Sequence, residues 1–167
     1  FESIGLCEAA VRMARAYAAE RPSMGKTIDQ HELIADYLET METEIQGLRA
    51  LAMYAAFHEE MAQRSTIGAR YYAAGGSAEQ QRFEAEARTH KTKARRVTPL
   101  LKYLASEKAV EMARLNIQIH GGVGYTREYG AEKLLRDAVV MPIYEGTSQI
   151  QSLMAMKDAL MGIIKNP

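Results

Sequence analysis

Glu145 lies in the string Pro142-Ile143-Tyr144-Glu145-Gly146-Thr147-Ser148, a carboxylate on a turn immediately ahead of two hydroxyl residues, either of which could cap a following helix. A carboxylate on a rigid turn just before a helix N-terminus is well placed for proton transfer. Upstream, Gly121, Gly122 and Gly124 interrupt helical text directly after His120. Glycines there either cap the helix and turn the chain, or let backbone N–H groups approach a ligand phosphate. They follow a helix rather than a strand, so they are not a Rossmann dinucleotide fingerprint.

Other chemistries fail on spacing. A di-iron bundle site needs Glu-x-x-His pairs, and none of His31, His58, His90 or His120 has Glu three positions before it. His58-Glu59-Glu60 lacks the second histidine of a zinc helix and reads as solvated surface, so no metal site is expected. The 21 basic and 21 acidic residues cancel. No bulk field therefore draws the chain to nucleic acid, and the basic run from His90 to Arg96 lacks interleaved aromatics. The one cysteine, Cys7, lies among Leu6, Ala9 and Ala10, which excludes a disulfide framework and predicts a buried thiol. The ten methionines are scattered and read as core filling. No apolar run approaches a membrane span.

The elements that would position Glu145 are helical. Leu6, Ala10, Met13 and Tyr17 give a first helix over about 2–20, broken by the Arg21-Pro22-Ser23-Met24-Gly25 turn. Ile34, Leu38, Met41, Ile45, Leu48, Ala52 and Ala55 stripe a second, from about 28 to at least 64 and as far as 73. Gly75-Gly76-Ser77 ends it, with Ser77 placed to cap a third helix from Ala78. That third segment carries Pro99, which predicts a kink or a new helix start. A short helix over 131–138 and a last one over 147–164, with Leu153, Met156, Leu160 and Ile163 inward, complete the pass. Strand alternation is absent. The expectation is a single all-α domain, an antiparallel four-helix up-and-down bundle with extended central helices. Its 167 residues suffice for one core, and its opening on Phe1 in helical text reads as a piece of a longer polypeptide.

The strings AAERPSMGKTIDQHELIADYL, QIHGGVGYTREYGAEKLLRDA and IYEGTSQIQ, in that order, resemble the C-terminal helical domain of the acyl-CoA dehydrogenases, flavoproteins that introduce the α,β double bond into acyl-CoA thioesters. The likeness covers nearly the whole chain. The stretch over 65–93 and VTPLLKYLASE look more like the larger bacterial branch.

The resemblance implies roles position by position. Glu145 falls on the base that removes the α-proton while the β-hydride passes to flavin N5, and its backbone N–H helps hold the thioester enolate. Arg21 matches the arginine that reaches the FAD pyrophosphate of a neighbouring subunit, with Ser23 and His31 flanking it. Glu32 departs from the medium-chain pattern, where glutamine donates to the cofactor. Gln118 through Gly122, with Gly121 and Gly122 at its end, match the segment laid against the partner's FAD, whereas Thr147 and Gln149 match contacts to the domain's own. Tyr144 and Gly146 would line the acyl pocket. Arg136 and Asp137 read as an ion-paired structural corner, and Tyr125 and Tyr129 as packing residues.

Partners implied are an acyl-CoA substrate, an electron-transfer acceptor protein and further copies of the chain in a homodimer or homotetramer. The setting implied is the bacterial cytoplasm or, in a eukaryote, the mitochondrial matrix. The family places an N-terminal helical domain and a flavin-holding β-domain before this one, so the piece alone is expected neither to keep FAD tightly nor to turn over. The alternative is a non-catalytic flavin-binding or oligomerisation module on the same scaffold.

Overall fold

The structure, a computed structural model, describes residues 1–72 and 77–165, with side chains described through Met161. The expected break at Gly75-Gly76 and the inward placement of Ile163 lie outside the described residues. The class is all-α, with helices α1 (Glu2–Glu20), α2 (Glu32–Tyr71), α3 (Ala78–His120), α4 (Ala131–Ala138) and α5 (Ser148–Lys165). The 40 and 43 residues of α2 and α3 are the extended central pair. Ser77 does cap α3, its Oγ accepting from the Gln80 N–H at 3.2 Å.

The connection between α1 and α2 departs from the sequence reading. Between α1 and α2 the chain forms a hairpin, β1 (Pro22–Ser23) antiparallel to β2 (Lys26–Thr27), with Pro22 opposite Thr27 and Ser23 opposite Lys26. Its two loop residues, Met24 (φ 48°) and Gly25 (φ 83°), both have positive φ, the backbone that matches strand twist in two-residue hairpins. Strands of two residues leave no alternation to read. Of the two outcomes expected at Pro99, a new helix start does not occur. The helix runs through, and the bond forgone is the one the Arg95 carbonyl would accept.

The chain divides into two compact units. One comprises residues 1–49 and 102–150, the other 50–101 and 151–167. In the first, Cys7, Ala10, Ala14 and Ala18 of α1, Met41 and Ile45 of α2, and Ala109, Met112 and Ala113 of α3 are buried. Small residues on α1 let the helices approach closely, while methionines fill the gaps. Helix direction follows from the ion pairs: Glu8 meets Arg49 and Arg15 meets Glu42, so α1 and α2 are antiparallel. Lys108 joins Glu44 at 2.5 Å and Glu111 at 2.8 Å. Cys7 is fully buried, and burial pushes its thiol up to about 12.

In the second unit, His58 Nδ1 lies 2.8 Å from His90 Nδ1 and Ser65 Oγ donates to Glu86 at 3.4 Å, again antiparallel for α2 and α3. His58 is therefore buried, not solvated as its neighbours Glu59 and Glu60 suggest. Desolvation lowers its pKa, and Lys93 and His90 lower it further. Arg95 makes a two-pronged ion pair with Asp158 of α5, at 2.9 and 3.2 Å. Leu153, Met156 and Leu160 of α5 are more than half exposed, contrary to the expected inward face. Among the described residues, no helix is long and apolar enough to cross a membrane.

Candidate active site

The predicted site residues fall into two clusters, both in the first unit and at opposite ends of α1. A helix of 19 residues spans roughly 28 Å, so the clusters are separate places.

At the C-terminal end of α1, Arg21 is the cap residue, its N–H bonded to the Tyr17 carbonyl at 3.0 Å and its carbonyl accepting from Ile28 at 2.9 Å. The hairpin thus folds back onto the helix end and leaves the Arg21 side chain exposed. His31 fixes the hairpin from behind, its Nε2 at 3.1 Å from the Ser23 carbonyl, a bond that requires the N–H on Nε2. Across from Arg21, α3 ends at His120 and enters a 3-10 turn over Gly121–Tyr125. Gly121 takes φ +64°, and a Cβ added at Gly121 or Gly122 would meet nothing within 4 Å. Gly124 differs: a Cβ there would stand 2.7 Å from the Ile117 carbonyl oxygen. Two glycines therefore leave open backbone, and the third permits packing.

An open groove of about 460 Å³ runs between these parts, bordered by Tyr17, Arg21, Ser23, His120, Gly121 and Gly122. Gln118 is exposed one turn back on α3. Residue-type reading gave Tyr17 only a place in the α1 stripe, and His120 falls inside the 118–122 segment without a role of its own. Their rings stack at 4.2 Å, with Tyr129 edge-on to both. His120 is 4% exposed, and burial lowers its pKa although the bond to the Asn116 carbonyl at 2.8 Å opposes this. That bond places the proton on Nδ1 and leaves Nε2 an acceptor. Tyr129 packs as expected, whereas Tyr125 is 83% exposed and does not. Arg136 and Asp137 are ion-paired at 2.6 Å, to Glu132 and Lys133 one turn back.

At the N-terminal end of α1, residues 139–147 form tight turns between α4 and α5. Met141 bonds back to the Ala138 carbonyl at 2.9 Å, Ile143 to Val140 at 3.0 Å, and the Ser148 N–H to Pro142 at 2.9 Å. Thr147 is the helix cap, its Oγ1 accepting from Ile150 at 3.4 Å. Ser148 instead donates to Glu107 of α3 at 2.5 Å. Glu145 has φ 54°, followed by Gly146 at φ 91°. Only Met24 and Glu145 are non-glycine residues with positive φ among the described residues, and Met24 is explained by its hairpin. A glutamate held left-handed costs free energy that the surroundings must offset, an arrangement enriched at functional sites. Its side chain is exposed. Beside it the Tyr144 hydroxyl donates to Glu2 at 2.6 Å, tying the loop to the start of α1. That bond, with burial and the charges of Glu2 and Glu145, raises the phenol pKa. Gly146 and Gln149 flank the same turn.

The two clusters suit different chemistry. The groove offers an exposed cation and open glycine backbone, a donor set that fits phosphate groups. The loop offers an exposed carboxylate on a constrained backbone. Among the described residues no group of three or more His, Cys, Asp or Glu could hold a metal.

Residues 1–78 and 78–160 match the acyl-CoA dehydrogenase C-terminal domain, and the chain belongs to that family of oxidoreductases. It is 33% identical to "Probable acyl-CoA dehydrogenase YngJ" of Bacillus subtilis (strain 168), over 95% of this chain and 34% of that protein. It is 32% identical to 3-methylmercaptopropionyl-CoA dehydrogenase of Ruegeria pomeroyi, over 90% of this chain and 24% of that protein. The structure superposes on butyryl-CoA dehydrogenase from Megasphaera elsdenii with a TM-score of 0.71 and 26% identity, over 95% of this chain and 34% of that one. The chain thus spans a quarter to a third of the length of these relatives.

Proposed function

We propose that the chain is the C-terminal domain of an FAD-dependent acyl-CoA dehydrogenase in which Glu145 abstracts the α-proton of an acyl-CoA thioester. The observation that carries this is the left-handed Glu145 on a tightly bonded turn at the start of α5. An α-proton is weakly acidic, so the base must be ionised, close and oriented before transfer. Glu145 is exposed in this chain. A bound acyl group, with the domains that precede this one in the proposed whole, would cover it and raise its basicity by desolvation. Tyr144 and Gly146 line the acyl side: the hydroxyl of the first is already engaged by Glu2, and the second contributes no side chain.

FAD, when bound, accepts the β-hydride. Arg21, Ser23, His31, Gln118, Gly121 and Gly122 would hold one FAD at the groove, and Thr147 and Gln149 would touch another near the base. The separation of roughly 28 Å along α1 supports this assignment to two cofactor molecules, one belonging to a neighbouring subunit. The exposed apolar residues Leu153, Met156 and Leu160 support burial of α5 in a homodimer or homotetramer. A separate acceptor protein would take the electrons, and CarC of Acetobacterium woodii is a relative described as a subunit of a caffeyl-CoA reductase-Etf complex. Acryloyl-CoA reductase (NADH) of Anaerotignum propionicum is another relative, and in the reductive direction a protonated Glu145 would return the proton to the α-carbon.

Glu145→Gln in the full-length flavoprotein tests the reading. Turnover of straight-chain, branched and sulfur-containing acyl-CoAs should fall by about a thousandfold while flavin stays bound. Retained turnover would move the base elsewhere, and failure of the unsubstituted protein on every thioester would favour a non-catalytic module.

A further inference from the structure

The loop that carries Glu145 is held from outside by one cation that the proton-transfer reading does not use. Lys102 lies on α3, and its Nζ donates to the Met141 carbonyl at 2.8 Å and to the Gly146 carbonyl at 2.9 Å. Those two carbonyls bracket residues 142–145. The same ammonium stands 5.5 Å from the centre of the Tyr144 ring, a third contact on the one loop. It is half-buried, and the lost hydration lowers its pKa although the carboxylates of Glu107 and Glu145 oppose this.

We propose that Lys102 is a positioning residue for Glu145: by bridging the carbonyls of Met141 and Gly146 it closes the loop into the turn that keeps Glu145 left-handed and aimed. This rests on Glu145 being the base. The physical case is that charge-assisted N–H···O bonds to two backbone carbonyls are stronger than neutral ones. A compact ammonium with several protons can join two carbonyls five residues apart in sequence from one point. The bonds internal to the loop fix its two halves: Tyr144 and Ile143 to Val140, and Ser148 to Pro142. The Ser148 bond to Pro142 already crosses Glu145 through the backbone, and the lysine adds a second, charged tie across the same residue from α3.

Lys102→Met, Lys102→Arg and Lys102→Gln in the full-length flavoprotein, beside Glu145→Gln, decide the matter. In Lys102→Met, amide hydrogen exchange over residues 140–148 should quicken by about tenfold or more while exchange over 105–116 in the same helix stays unchanged. Turnover should fall by about ten- to a hundredfold with KM within about threefold and flavin content intact, as expected when a base is displaced rather than removed. Lys102→Arg, which keeps the charge and several donors, should recover part of both readouts. If the methionine variant does not fold, the glutamine variant, with one amide donor group, is read by the same two measures. Unchanged loop exchange, or a fall in turnover that the arginine variant does not lessen, overturns the proposal. Should Glu145→Gln stay active, the base assignment fails, and loop exchange in the Lys102 variants still judges the clamp independently.

Discussion

The two ends of α1 solve opposite problems with similar means. Both carry a turn with positive-φ residues, Met24-Gly25 at one end and Glu145-Gly146 at the other. The first turn is local: its backbone is satisfied by a two-residue ladder, its tip is 93% exposed at Met24, and Arg21 is exposed at the border of the groove. The second is bound from a distance, by Lys102 and Glu107 of α3 and Glu2 of α1, at separations of 39 to 142 residues in sequence. A charge that captures an anion tolerates a soft mount, because Coulomb attraction falls slowly with distance. A base does not, because proton transfer depends on a few tenths of an ångström.

Substitution at each end should therefore break different measurements. Glu145→Gln is expected to have the largest effect, the thousandfold loss of turnover with flavin retained, seen in steady-state kinetics beside the flavin spectrum. Arg21→Gln should do the reverse. Flavin affinity should weaken by about ten- to a hundredfold, the usual cost of a charge-assisted phosphate contact, while enzyme reconstituted with excess FAD turns over near normally. If Arg21→Gln also abolishes turnover in flavin-saturated enzyme, the two ends are not functionally separate. The smallest of the three is Gly124→Ala. Its Cβ must displace the Ile117 carbonyl, which should lower stability by about 1–3 kcal/mol in denaturant melts and leave the Glu145 loop unaltered. Gly122→Ala, with open space around it, serves as the control.

How much of this was legible depended on range in sequence. Helix α4 over 131–138 and the ends of α1 follow from periodicity and from the breakers beside them. The hairpin escaped because two-residue strands have no period. Leu153, Met156 and Leu160 sit at helical spacing, which shows that one face is apolar but not what covers it. His58 reads as surface beside two glutamates, yet its partner His90 is 32 residues away and buries it. At the site, residue types marked the loop and the groove, and family resemblance gave them proposed roles. The left-handed backbone of Glu145 could not be read, since glutamate is not the residue such a turn prefers. Lys102 was equally hidden, because a lysine in a long helix ordinarily reads as solvated.

Cys7 turns the first unit into its own clock. The thiol is fully buried, its pKa is pushed up to about 12, and it is the chain's only cysteine. An alkylating reagent needs thiolate and access, so at neutral pH the folded unit should be inert to it. Labelling must then wait for the packing around α1 to open, and its rate at high reagent concentration should equal the opening rate of that helix rather than any property of the sulfur. Mass spectrometry of one modified site would time the opening of the helix that joins the Arg21 groove to the Glu145 loop.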